Sequence, residues 1–170
     1  MLATRGQSVE VFRVHPVTLW STLFLSLLLQ AFLPVKVPWA RLIDFPLLAT
    51  VYFAMVRRNK LFAIGMGTGI GLLQDALSHS YLGIYGMAKA LVAYMATALS
   101  LRFNLEPLIA RSVLMGVFVL IHNLFLAGLQ HALLENPPPF LPLEMASGLL
   151  VNIALGLIVF QVLDRFRHPA

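Results

Sequence analysis

The stretch "GLLQDALSHSYLGIYGMAKALVAY", residues 71–94, places Asp75 and Lys89 in a segment that otherwise reads as apolar helix. Two opposite charges there could clamp helices together, contact a ligand or partner, or relay protons. A charge inside a membrane helix costs about 2.5–3.5 kcal/mol on insertion scales, so such residues face the bundle interior or a cavity and find partners there. Asp75 and Lys89 stand symmetrically about Leu82, the middle of the connection between their helices. In an antiparallel hairpin, residues equidistant from the turn share a depth, and the spacing therefore predicts that the two can pair. A relay would need further ionisable groups at matching depths. Asp44, His122, His131, Glu135 and Glu144 are too few and too scattered for that. A structural clamp is favoured over a ligand or partner contact, and both over a proton pathway.

Other constellations resolve toward packing. "GMGTGIG", residues 65–71, lacks a preceding strand and a following Lys-Ser or Lys-Thr, which argues against a nucleotide loop. It does carry two interleaved small-xxx-small pairs, Gly65 with Gly69 and Gly67 with Gly71, which let a neighbouring helix approach closely. His122 and His131 do not have the spacing that puts two imidazoles on one helical face, so no metal site is expected. His122, Asn123 and Asn152 read instead as interhelical hydrogen-bonding groups. Ser78, His79 and Ser80 are adjacent in a short turn and cannot supply an oriented nucleophile, base and carboxylate by spacing alone. Without cysteine, disulfides and thiolate chemistry are excluded. The expectation is a protein that is not an enzyme and has no cofactor.

The elements that must position these residues are membrane helices. Of 170 residues, 59% are hydrophobic and 11% charged, with a mean hydropathy of +0.86; soluble domains are nearer a quarter charged. A span needs about 20 apolar residues. Apolar runs, punctuated by turns and charges, predict six helices near 17–35, 42–56, 61–78, 83–101, 107–134 and 143–163. The fold class is all-α, a polytopic membrane protein with one transmembrane domain over residues 1–170. Helix five, at about 42 Å, must tilt or protrude.

The net charge of +5 sits at the ends of apolar segments, so it reads as topology and not as nucleic-acid binding. Nine of the twelve Lys and Arg residues, among them Arg5, Arg57, Arg58, Arg102 and Arg165, fall on alternate connections. The positive-inside rule then places both termini in the cytoplasm. "ENPPPFLP", residues 135–142, is an external loop in which Pro137, Pro138 and Pro139 favour a stiff polyproline segment. It is either a rigid connector or a docking surface for an extracytoplasmic partner. Trp20, Trp39, Tyr52 and Tyr81 fall near span ends and are expected to be interface anchors.

Within residues 71–94, Gly71-Leu72-Leu73, Asp75, Ser78, Leu82-Gly83, Ala90-Leu91 and Tyr94 form a pattern that resembles the rod shape-determining protein MreD family. The pattern positions are Asp75, Gly83 and Tyr94, while Lys89 is not among them. The resemblance implies a non-enzymatic subunit of the bacterial cell-elongation machinery, the rod complex, in the cytoplasmic membrane. It implies binding to an MreC-like scaffold and, indirectly, to MreB, RodA and a class B penicillin-binding protein in lateral peptidoglycan synthesis. It also implies a fold similar to the S components of energy-coupling factor transporters, and a substrate-binding S component of a vitamin transporter is the alternative function. Against that alternative, "LWSTLFLSLLLQAFL" has no Ala-xxx-Ala docking pair on helix one. Membrane lipid is a further expected partner, and the sequence leaves a homodimer open.

Overall fold

The structure is a computed structural model that describes residues 12–78, 81–103, 107–139 and 141–169. Six α-helices follow one another up and down: α1 (Pro16–Lys36), α2 (Phe45–Arg57), α3 (Lys60–Leu77), α4 (Ile84–Ser100), α5 (Leu108–Leu133) and α6 (Pro142–Asp164). A 3₁₀ turn at Pro38–Leu42 leads from α1 into α2. Two short strands, β1 (Phe12–Val14) and β2 (Arg167–Pro169), pair antiparallel with Val14 opposite Arg167. They join the two ends of the described chain. The opposite end of the bundle carries the 3₁₀ turn, the α3–α4 connection and the α5–α6 connection.

Local sequence explains where the helices begin. Pro16 opens α1, and the His15 ring accepts from the Val17 amide at 3.3 Å. Asp44 caps α2 by accepting from the Leu47 amide at 2.8 Å, with Pro46 in the first turn, where a proline is tolerated. Asn59 caps α3 through the Phe62 amide at 3.0 Å. Before α4 the chain turns through Gly83 at φ +103°, a left-handed conformation that an L side chain would strain.

The short helix α2 is the axis of the molecule: every residue from Pro46 to Met55 is buried. It packs against α1, α3, α4, α5 and α6. The closest pairing is that of α3 with α4. An added Cβ at Gly71 would lie 2.5 Å from the Gly86 Cα, and one at Gly67 would lie 2.7 Å from the Lys89 carbonyl oxygen. The second glycine pair points elsewhere: a Cβ on Gly65 or Gly69 would meet nothing within 4 Å.

Six helices are expected and six are found among the described residues, each within a few residues of its predicted bounds. They are not equally suited to spanning. Pro16–Lys36, Pro38–Arg57, Ile109–Leu133 and Pro142–Asp164 are long and apolar enough to cross a membrane, and Ile84–Ser100 is a shorter apolar helix. The difference has a physical reason. α4 has only 17 residues and buries Lys89, while α3 carries Lys60, Asp75 and four glycines. Broad apolar faces remain open on the outer helices, including Trp20, Phe24, Ile109 and Leu150. Such a surface suits hydrocarbon and not water.

The aromatic anchors divide. Trp20, Trp39 and Tyr81 are exposed, but Tyr52 is 2% exposed and packs edge-on against Phe53 and Phe160. Its hydroxyl donates to Asp164 at 3.2 Å. Tyr52 is thus a core residue and no interface anchor, because its helix is central and has no lipid-facing side.

Candidate functional site

The polar residues converge below the end of the bundle opposite the termini. Lys89 is fully buried, and its Nζ donates to Asp44 Oδ2 at 2.6 Å. The Asp44 side chain retains 16% exposure. Its other oxygen caps α2, so a single carboxylate both starts the central helix and binds the cation of α4. The Tyr85 ring lies 5.1 Å from the Lys89 ammonium, within cation–π range. His122 Nε2, on α5, stands 3.8 Å from Asp44 Oδ2 with no hydrogen-bond partner.

Asp44 is itself held from two sides. Its amide donates to Asn152 Oδ1 at 3.0 Å, and the Asn152 amide nitrogen donates to the carbonyls of Leu42 and Gly148, each at 2.7 Å. The next amide, Phe45, donates to Gln30 Oε1 at 3.0 Å. Side chains of α1 and α6 thereby satisfy the backbone where the 3₁₀ turn enters α2. Inside an apolar bundle, backbone groups left unpaired cost several kcal/mol each, which accounts for the use of Asn and Gln here.

Asp75 does something different. Its carboxylate accepts from the amides of Gly83, Tyr85 and Gly86 at 2.9, 3.2 and 3.3 Å. These are the open amides at the start of α4, so Asp75 caps α4 from across the connection, where the positive end of the helix dipole favours an anion. The left-handed Gly83 turns its amide toward that carboxylate. The expected pairing of Asp75 with Lys89 is therefore not present. Nor do the two share a depth: Gly67 faces Lys89 while Asp75 meets the start of α4, so Lys89 lies deeper in the hairpin, and it reaches α2 instead.

The other predicted positions are dispersed. Tyr94 is 43% exposed, with Lys60 Nζ 5.6 Å from its ring centre. Gly67 and Gly71 serve the α3–α4 contact, whereas Gly65 and Gly69 do not. Pro138 and Pro139 line a cavity of about 280 Å³ together with Arg41, Tyr85, Asn123, Gln130, His131 and Glu144. Pro137 is half-buried. Arg41 and Glu144 form an exposed ion pair at 3.5 Å. His79 and Ser80 lie outside the described residues, as does Arg5. Among the described residues, no three His, Asp or Glu side chains lie close enough to hold a metal ion. The residue that sequence reasoning undervalued is Asp44. The signal was available in "DFP", a carboxylate two positions ahead of a proline, which marks a helix start and so fixes the depth of the carboxylate.

Asp44 and Asp75 accept from helix amides, and Asp44 also accepts from Lys89, so all three fasten helices together. A family model described as rod shape-determining protein MreD matches residues 12–166, nearly the whole chain. No curated protein and no solved structure matches it.

Proposed function

This chain belongs to the rod shape-determining protein MreD family, and on that premise we propose that it is a non-enzymatic membrane subunit of the cell-elongation machinery. In this reading it binds an MreC-like scaffold and, through it, MreB, RodA and a class B penicillin-binding protein, and helps organise lateral peptidoglycan synthesis. The observation that carries the reading is the match over residues 12–166. The use of the buried charges as internal fasteners supports it, since a scaffold needs a rigid bundle and no reactive centre. The open apolar faces of α1, α5 and α6 support it too, being surfaces on which lipid and partner helices can pack.

On the same proposal the protein resides in the bacterial cytoplasmic membrane with both termini in the cytoplasm. The clustering of Arg57, Arg58, Lys60, Arg102 and Arg165 toward one end supports this, as does the pairing of β1 with β2 at that end. A fold like that of energy-coupling factor S components belongs to the proposal as well, supported by the six helices.

The test is affinity co-purification from native membranes in mild detergent, with mass spectrometry of bound proteins and of small molecules released on denaturation. Recovery of an MreC-like protein with wall-synthesis enzymes is the expected result. Recovery of an ATPase module, or of a stoichiometric vitamin, would overturn the scaffold reading in favour of the transporter one.

A further inference from the structure

The cavity at the end opposite the termini is built from five parts of the chain: the 3₁₀ turn, the first turn of α4, the outer half of α5, Pro138 and Pro139 of the α5–α6 connection, and the start of α6. Asn123 lies ten positions below the end of α5 at Leu133, or about 15 Å along the axis. Several half-buried polar groups of the lining have no partner in the protein and are open to one in the cavity. Among the described residues, no hydrogen bond engages the Tyr85 hydroxyl, the Gln130 side chain or the amide nitrogen of Asn123, whose Oδ1 lies 3.3 Å from His122 Nδ1. His131 uses Nδ1 toward the Ala127 carbonyl at 3.0 Å, which leaves Nε2 available. The lining thus offers a hydroxyl, two amides and an imidazole, from Asn123 at the bottom to Gln130 and His131 near the mouth.

The rim adds both signs of charge. Arg41 and Glu144 face each other at 3.5 Å with 67% and 49% of their side chains exposed. An ion pair that exposed contributes little to stability. A guest that brings its own anion to Arg41 and its own cation to Glu144 can therefore replace it at small loss. A guest with one sign of charge would leave the opposite partner alone. The volume of about 280 Å³ lies just below the usual range for ligand pockets and restricts the guest to the size of a headgroup.

We infer that this cavity binds a small zwitterion, an ammonium joined to a phosphate or carboxylate. The anion lies on Arg41, the ammonium on Glu144 and on the accepting Nε2 of His131, and the linking polar atoms on Asn123, Gln130 and Tyr85. The zwitterion comes either from the headgroup of a membrane lipid or from the aqueous side as a free molecule; the recognition chemistry is the same. The inference does not depend on the scaffold reading, since a subunit that binds no partner could still hold this guest.

Thermal unfolding of the full chain tests it. The probes are free phosphoethanolamine added to the protein in detergent, and nanodiscs of phosphatidylethanolamine compared with phosphatidylglycerol. The expected result is a higher unfolding temperature with one zwitterionic probe or both. A response to the free molecule identifies an aqueous source, and a response to the nanodisc alone identifies the lipid. In either case Gln130→Leu and Glu144→Gln should each weaken the response at least tenfold in midpoint concentration or abolish it. Leu124→Ala, on the open face of α5, should leave it unchanged. Glu144 is exposed, so its conservative variant tests the charge even where Gln130→Leu fails to fold. Equal unfolding temperatures with every probe, or a response unaffected by either cavity variant, would overturn the inference.

Discussion

The contact between Asp44 and Lys89 makes a quantitative prediction through charge removal. Breaking a buried ion pair from one side costs about 3–5 kcal/mol, because the remaining charge has lost its compensation. The two sides are not equivalent here. Lys89 has no exposed side-chain area and Asp44 has 16%, so a stranded lysine is the worse outcome. Asn at position 44 can still accept from the Leu47 amide, which retains the cap of about 1 kcal/mol and leaves charge as the main difference. Asp44→Asn should therefore lie near the upper end, about 5 kcal/mol. Lys89→Met should lie near the lower end, about 3 kcal/mol, because Asp44 keeps its cap and some access to water.

Removing both charges should cost less than removing either alone, with a coupling of about 5 kcal/mol or more. The assay is equilibrium unfolding in mixed micelles at increasing mole fraction of sodium dodecyl sulfate, on the two single variants and the double. A double variant that loses the sum of the singles would refute the clamp. So would coupling of Lys89 to Asp75 as strong as its coupling to Asp44, tested with Asp75→Asn in the same cycle.

Three further outcomes follow from the geometry. Gly71→Ala drives a methyl to 2.5 Å from the backbone of α4 and should destabilise by about 1–3 kcal/mol, whereas Gly69→Ala meets open space and should be neutral or stabilising by up to about 1 kcal/mol; unfolding in the same micelles separates them. Asp75→Ala strips three amides of their acceptor, so hydrogen exchange at Gly83, Tyr85 and Gly86 should accelerate at least tenfold while exchange in the middle of α2 changes less. Asn152→Leu removes the bonds to Leu42, Gly148 and Asp44 and should cost about 1–3 kcal/mol, with faster proteolytic cleavage in the Pro38–Leu42 turn as the local readout.

The sequence revealed the helices better than the depth and direction of single side chains. Helix number and bounds were legible because hydrophobic runs, prolines and caps report position along the chain. The placement of Asp75 and Lys89 at one level was not, because Gly67 faces Lys89 while Asp75 meets the start of α4. Which way each side chain points depends on how the helices rotate against one another, and that is decided by contacts far apart in sequence. Lys89 faces α2 because Gly67 and Gly71 bring α3 so close that the shared face of α3 and α4 has room for backbone and small atoms only. Displaced from the hairpin seam, the lysine requires an anion on the third helix, and Asp44 supplies it at the start of α2. Asp75, one turn beyond Gly71, is in turn free to serve the amides of α4.

The same reasoning accounts for Tyr52 and for the unused glycines. Nothing in "LLATVYFAMVR" distinguishes a central helix from a lipid-facing one, because both are apolar all round. Five helices surrounding α2 make Tyr52 a core residue. Likewise Gly65 and Gly69 repeat the spacing of Gly67 and Gly71 but stand on the side of α3 that α4 does not cover. Identical motifs on one helix thus acquire different roles from a rotation of half a turn. A small-xxx-small pair in a sequence predicts a close approach, and only the assembled bundle says whether the approaching backbone comes from this chain or leaves the site open to another.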